Sequence, residues 1–147
     1  MILIDVNVLV YAYREDSPDH PAFRHWLLDL VQSEAPFGLA PLILSGFLRI
    51  TTHPKIFKPP SPLEHALGFI ETLRAQPGCR VLVPGPRHWQ IFTHLCQATG
   101  ATGNTIPDAF LAALAIESGM EWITADGGFS RFPGLQWRHP LVQGGAG

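Results

Sequence analysis

Three aspartates stand in surroundings that ask for an explanation. Asp5 directly follows the apolar run Ile2-Leu3-Ile4, Asp108 opens the apolar stretch Ala109 to Ile116, and Asp126 follows Trp122-Ile123-Thr124 and precedes Gly127-Gly128. Asp108, near Asn104 and Thr105, reads equally well as the acidic first-turn residue of a capped helix. Asp126 reads equally well as a turn aspartate. Asp5 is harder to place that way, because a carboxylate behind a buried run is costly unless a ligand or a hydrogen-bonded partner meets it. Should the three converge, their mutual repulsion calls for a divalent cation, and an oxygen-only donor set favours magnesium or manganese over zinc.

The elements around them must bring them together. Ile2-Leu3-Ile4 has no polar alternation, the pattern of a short strand buried on both faces of a parallel sheet. The following VNVLVYAY fits either a strand or the start of a helix or loop. Ser17-Pro18 predicts an N-cap and first-turn proline for a helix carrying Phe23, Trp26, Leu27, Leu30 and Val31. Phe37 to Leu39 is a candidate strand, and a helix from Pro41 with Leu44, Phe47 and Leu48 on one face should stop before His53-Pro54. Ser61-Pro62-Leu63-Glu64 has the form of a capping box ahead of Ala66, Leu67, Ile70 and Leu73. Arg80 to Val83 is the next expected strand. Gly85-Pro86 then begins a helix with Trp89, Phe92, Leu95 and Cys96 inward, ended by Gly100. The helix after Asn104 is apolar nearly all round and should be central; Gly119 ends it. Trp122 to Thr124 is a strand, and Gln136 to His139 a candidate edge strand.

Short buried strands alternating with helices predict a three-layer α/β/α fold with a mainly parallel sheet. Ligands in such folds bind outside the carboxyl ends of the strands, where Asp5 and Asp126 both lie. At 147 residues, 46% hydrophobic and 15% charged, the chain suits one globular domain, expected over residues 1–141 with a flexible tail over 142–147. A formal net charge of −2 provides no global basic field, so contact with a polyanion must rest on a local patch or on metal ions. The two cysteines, Cys79 and Cys96, are expected to be free thiols. With neither a signal-peptide pattern nor a membrane-length apolar run, a cytoplasmic protein is the expectation.

Asp5-Val6-Asn7-Val8-Leu9-Val10-Tyr11, Pro107-Asp108-Ala109 leading into LAALA, and Thr124-Ala125-Asp126 followed by Phe129 together resemble the PIN-domain ribonucleases, above all the VapC-type toxins of prokaryotic toxin–antitoxin systems. Phe47 to Pro54 extends the resemblance through the middle of the chain. It implies a Mg2+- or Mn2+-dependent endoribonuclease, usually a homodimer, that cleaves structured RNA such as tRNA or rRNA and is neutralised by a VapB-type antitoxin. It assigns the catalytic, metal-binding positions to Asp5, Asp108 and Asp126. The family's remaining acidic position, normally a glutamate, falls on Gly46. An ion held by the three aspartates would lower the pKa of a coordinated water and stabilise in-line attack on a phosphate. Asn7, Ser45, Asn104 and Thr124 are neutral donors that could orient a water or a ligand. Arg49, His53, Lys55 and Lys58 form the densest basic segment and are candidates for RNA phosphate contacts.

Two other readings compete. With Gly46 in place of the glutamate, the protein could be a PIN-like scaffold that binds RNA or a partner without cutting. Alternatively, Asp5-Val6-Asn7-Val8-Leu9 could be a decayed D-x-D-x-[TV] strand end of a haloacid-dehalogenase-like phosphohydrolase, although Asn7 stands where the acid/base aspartate belongs. The sequence contains no nucleophile elbow, phosphate-cradling glycine loop or HExxH motif.

Overall fold

The computed structural model describes residues 1–142; the remainder of the expected tail, 143–147, lies outside the described residues. Five strands, β1 (Ile2–Ile4), β2 (Phe37–Leu39), β3 (Cys79–Val81), β4 (Glu121–Ile123) and β5 (Trp137–Arg138), form one sheet in the order β3-β2-β1-β4-β5. Every neighbouring pair is parallel, with Ile4 opposite Ile123 across β1 and β4. Six helices connect them: α1 (Val6–Tyr13), α2 (His20–Gln32), α3 (Pro41–Thr51), α4 (Leu63–Arg74), α5 (His88–Thr99) and α6 (Thr105–Ser118).

The strand order sets the layers. From β1 the chain steps to β2 and on to β3 in one direction, then returns past β1 to β4 and β5 on the other side. Right-handed crossovers therefore place α1 to α4 on one face and α5 and α6 on the other. The packing agrees, with α1 against α2 and α3, α3 against α4, and α5 against α6. The direction reverses between β1 and β4, and that switch point is where open α/β sheets form their ligand crevice.

The ambiguous VNVLVYAY is helix α1. Its N-cap is Asp5, whose side chain accepts the Val6 amide, and Val8, Leu9, Val10 and Ala12 are buried. Burial on several sides overrides the modest helix propensity of three valines. Phe47, fully buried, lies 5.3 Å from the Tyr13 ring and stacks at 5.2 Å on Phe69, tying α1, α3 and α4 together. Across the sheet, α6 buries Ala109, Leu111, Ala112, Ala113, Leu114 and Ala115. Its alanines allow close approach to the sheet, so Asp108 is carried on a rigid, central support.

Several expected helix starts are displaced. Helix α2 begins at His20 with Pro21 in its first turn; Ser17 instead donates its hydroxyl to the Tyr11 and Arg14 carbonyls, closing the end of α1. Ser61 makes no capping box: α4 starts at Leu63 without a side-chain cap, and the Ser61 hydroxyl accepts from Arg14 Nη1 at 3.0 Å. Strand β3 ends at Val81 and not Val83. Helix α5 begins at His88, and the amides of Gly85 and Arg87 ahead of it donate to the Glu117 carboxylate of α6 at 2.8 and 2.9 Å. That register buries His88, which hydrogen-bonds the Phe110 carbonyl, and leaves Trp89 69% exposed instead of in the core. Asn104 precedes α6 in helical geometry and makes no capping bond; the first amides donate to the Thr102 and Gly103 carbonyls. Gly119 closes α6 at φ 69°, a left-handed conformation that glycine adopts without a Cβ penalty. Both cysteines are free thiols. No helix among the described residues is long and apolar enough to cross a membrane.

Candidate active site

Asp5 leaves the carboxyl end of β1 and Asp126 lies just beyond β4, while the first turn of α6 brings Asp108 to the same edge. The Asp5 amide donates to the Ile123 carbonyl at 2.9 Å, so the β1–β4 ladder runs on to the carboxylate itself. Asp5 is 4% exposed, and both its oxygens accept hydrogen bonds that fix it. Oδ1 accepts the Val6 amide at 2.7 Å; Oδ2 accepts the Thr124 hydroxyl at 2.7 Å and the Asn7 amide at 3.3 Å.

Thr124 and Asn7 weave the two strand ends into one unit. The Thr124 hydroxyl oxygen accepts from Asn7 Nδ2 at 3.2 Å and from the Asp126 amide at 3.0 Å, and Asn7 Oδ1 accepts the Ala125 amide at 3.1 Å. The position of Asp126 is thereby referred back to Asp5. Asp126 also accepts the Gly128 amide at 2.8 Å, capping a short 3-10 turn, η1 (Gly127–Arg131). The turn-aspartate reading and the site reading thus describe the same residue. Asp108 accepts no hydrogen bond among the described residues, so capping does not account for it.

Electrostatics ties the three carboxylates to one another. Burial pushes the Asp5 carboxyl up to about 6 against the hydrogen bonds from Thr124 and Val6, and the charges of Asp108 and Asp126 push the same way. Asp108 is raised by burial first and by Asp126 second, with Arg131 opposing. Burial is the larger cause for both, and the neighbouring carboxylates add to it. Among the described residues no three His, Cys, Asp or Glu side chains are set so as to hold a metal ion by themselves. An ion that keeps several of its waters, as magnesium does, suits such an open set of carboxylates with free lone pairs.

The other predicted residues divide. Asn7 and Thr124 reach Asp5 directly. Ser45 and Asn104 are exposed and bond to none of the three carboxylates among the described residues. Gly46 lies in α3 beside the residue that follows Asp5: a Cβ there would sit 3.7 Å from Val6 Cγ2, an ordinary contact. A Cβ is accommodated at this position. Arg49, Lys55 and Lys58 are exposed and His53 half-buried, grouped around the end of α3. Arg14, at the far end of α1 from Asp5, holds that loop by donating to Pro59 O and Ser61 Oγ at 3.0 Å each and lying 4.3 Å over the Phe57 ring. The loop that carries Lys58 therefore lies at the opposite end of α1 from Asp5. Arg131 stands at the acidic edge without having been singled out in the sequence; only its proximity to the Asp126 turn could have suggested it.

The sequence profile of the PIN domain matches residues 2–135. Ribonuclease VapC43 of Mycobacterium tuberculosis is 43% identical over 141 residues, covering 96% of each chain. Ribonuclease VapC25 of the same organism is 41% identical over 142 residues, covering 97% of this chain and all of the relative. Among solved structures, VapBC2 from Rickettsia felis bound to a promoter DNA fragment superposes with a TM-score of 0.68 at 15% identity, over 94% of this chain and 98% of that one. VapC20 of Mycobacterium tuberculosis, described as a sarcin-ricin loop cleaving toxin, superposes with a TM-score of 0.65 at 16% identity, over 92% and 98%. At those identities the structural likeness speaks for the fold.

Proposed function

The chain belongs to the PIN-domain family, among its VapC members, and on that premise we propose that it is a Mg2+- or Mn2+-dependent endoribonuclease toxin that cuts structured RNA. The observation that carries the reading is the convergence of Asp5, Asp108 and Asp126 at the β1/β4 switch point, with Asp5 fixed by Thr124 and Asn7. These three carboxylates are the residues that would hold the ion. When bound, it would supply charge to the phosphate and acidify a water.

The chain's own groups do the rest. Thr124, donating to Asp5 and accepting from the Asp126 amide, keeps both carboxylates at one spacing. Asn7 holds Ala125 and Asp5 from the side. Asp108 has no competing hydrogen bond among the described residues and a raised proton affinity, which suits it to take the proton of the attacking water. The products expected are a 5′-phosphate and a 3′-hydroxyl.

One domain, residues 1–141, carries this activity, and the protein acts as a homodimer silenced by a VapB-type antitoxin. Support for the partner comes from the VapBC complexes among the structural relatives. The basic segment Arg49, His53, Lys55 and Lys58 engages more distant phosphates of the same RNA.

Partner-free protein should cleave a tRNA or rRNA pool with magnesium or manganese and stop with a chelator, and Asp108→Asn should abolish cleavage without unfolding the protein. A second reading, a PIN-like scaffold that binds without cutting, draws on the missing carboxylate at Gly46. Equal inertness of wild type and Asp108→Asn across metals and RNAs would establish that second reading in place of the first.

A further inference from the structure

Arg131 closes η1, and its guanidinium is held at two points by neutral oxygens. Nε donates to the Gly128 carbonyl at 2.8 Å, and Nη1 donates to the Thr105 hydroxyl at 3.2 Å. Those acceptors belong to the two elements that carry Asp126 and Asp108. The side chain folds back tightly over Gly128, where an added Cβ would come within 2.8 Å of Nη2. Glycine at that position is what lets the guanidinium lie there.

An arginine beside two carboxylates would ordinarily pair with one of them. Among the described residues Arg131 forms no ion pair. Of its five N–H donors, two are spent on uncharged partners, so no carboxylate meets it by direct contact and the remaining donors, on an exposed residue, are open to a ligand. Its charge reaches Asp108, which sets it at the rim of the acidic cluster.

A polyanion approaching three carboxylates on a chain of net charge −2 meets repulsion at close range. A fixed guanidinium at the rim offsets it, and its planar fork matches the oxygens of a phosphate. We propose that Arg131 is an RNA-contacting residue of the site, donating to a non-bridging oxygen of a backbone phosphate next to the carboxylates. This role rests on the nuclease reading for its consequence in cleavage, but the phosphate contact itself can be measured without turnover. The competing role is a strap that joins η1 to α6 and touches no RNA.

The two are separated by binding a fluorescent single-stranded RNA oligonucleotide in chelator, across a series of potassium chloride concentrations. Arg131→Ala should weaken binding about 5- to 20-fold and lower the slope of log affinity against log salt by about 0.7, one phosphate's worth for a single strand. Arg131→Lys keeps the charge, and Thr105→Val removes the strap while leaving the charge; both should retain the wild-type slope. An unchanged slope in Arg131→Ala overturns the proposal. Equal loss in Arg131→Lys and Thr105→Val marks a strap and overturns it as well. With manganese added, wild type that cleaves while Arg131→Ala cleaves equally well also counts against the contact. A wild type that cleaves nothing removes the nuclease reading, and the slopes in chelator still decide Arg131.

Discussion

Substituting Asp5→Asn should flatten the pH dependence of stability in the metal-free protein. The Asp5 carboxyl is pushed up to about 6 in the folded chain, against an ordinary value of 3.8. Between those values the native state binds more protons than the unfolded state. Stability therefore falls as pH rises through this window and is level above it. About two units at 1.36 kcal/mol each amount to roughly 3 kcal/mol over the whole titration, of which about 2 kcal/mol is lost between pH 4.5 and pH 7.5. For a domain of this size the latter is roughly 4–8 °C in Tm. Asp16 and Glu117, whose carboxyls are lowered by Arg14 and by the Gly85 amide respectively, act in the opposite sense in both proteins, so they cancel in the difference. Asparagine cannot ionise. Its amide also faces the Asn7 amide, a donor against a donor, which lowers stability by about 1–2 kcal/mol at every pH and shifts the curve without tilting it. The assay is thermal unfolding in chelator from pH 4.5 to 7.5, wild type beside Asp5→Asn, and then with manganese added at pH 7. The wild-type minus mutant difference should decline with pH, and manganese should raise the wild-type Tm alone. Parallel curves for the two proteins would refute the argument that a buried, uncompensated carboxylate is what the site contributes to stability.

Three other substitutions probe the surroundings of the site. Thr124→Val keeps the shape but removes the hydroxyl that joins Asn7, Asp5 and Asp126; titration of the Tm with manganese should show metal affinity about 10- to 100-fold weaker. Glu117→Ala leaves the Gly85 and Arg87 amides without their acceptor and should cost about 1 kcal/mol in denaturant unfolding while cleavage per folded molecule is unchanged. Gly46→Ala, in the interior of α3 with only Val6 Cγ2 at 3.7 Å, should stabilise the fold by about 0.5–1 kcal/mol, whereas Gly46→Glu should tighten manganese binding measured by calorimetry.

Much of the architecture was legible because it rests on periodicity. Ile2-Leu3-Ile4 and Trp122-Ile123 are buried on both faces and say so, and the all-round apolar run of α6 marks a central helix. The ends of elements were less legible, since caps can be supplied from elsewhere. Ser61 has the right residues three ahead of it for a capping box, yet its hydroxyl is claimed by Arg14, 47 positions away in sequence. Glu117 serves α5 from α6, a contact that no local pattern announces. Trp89 lost its place in the core because α5 starts later than Gly85-Pro86 implies, and the shift turned His88 inward. At the site, the need of Asp5 for a partner followed from its apolar context, and Asn7 and Thr124 were among the neutral donors named. The bracing of Asp126 by Thr124 depends on the β1–β4 pairing and is invisible in sequence.

That pairing has a consequence for how the protein comes into being. Asp5 and its hydroxyl donor are 119 positions apart, and the strand beside β1 at the switch point is the fourth of five to be synthesised. During translation β1 and α1 can dock with β2 early, leaving one edge of β1 bare until residues near 121 emerge. No N-terminal fragment lacking β4 holds the assembled cluster. The three-carboxylate arrangement is therefore complete only once β4 has paired with β1, through a long-range contact that closes over that strand.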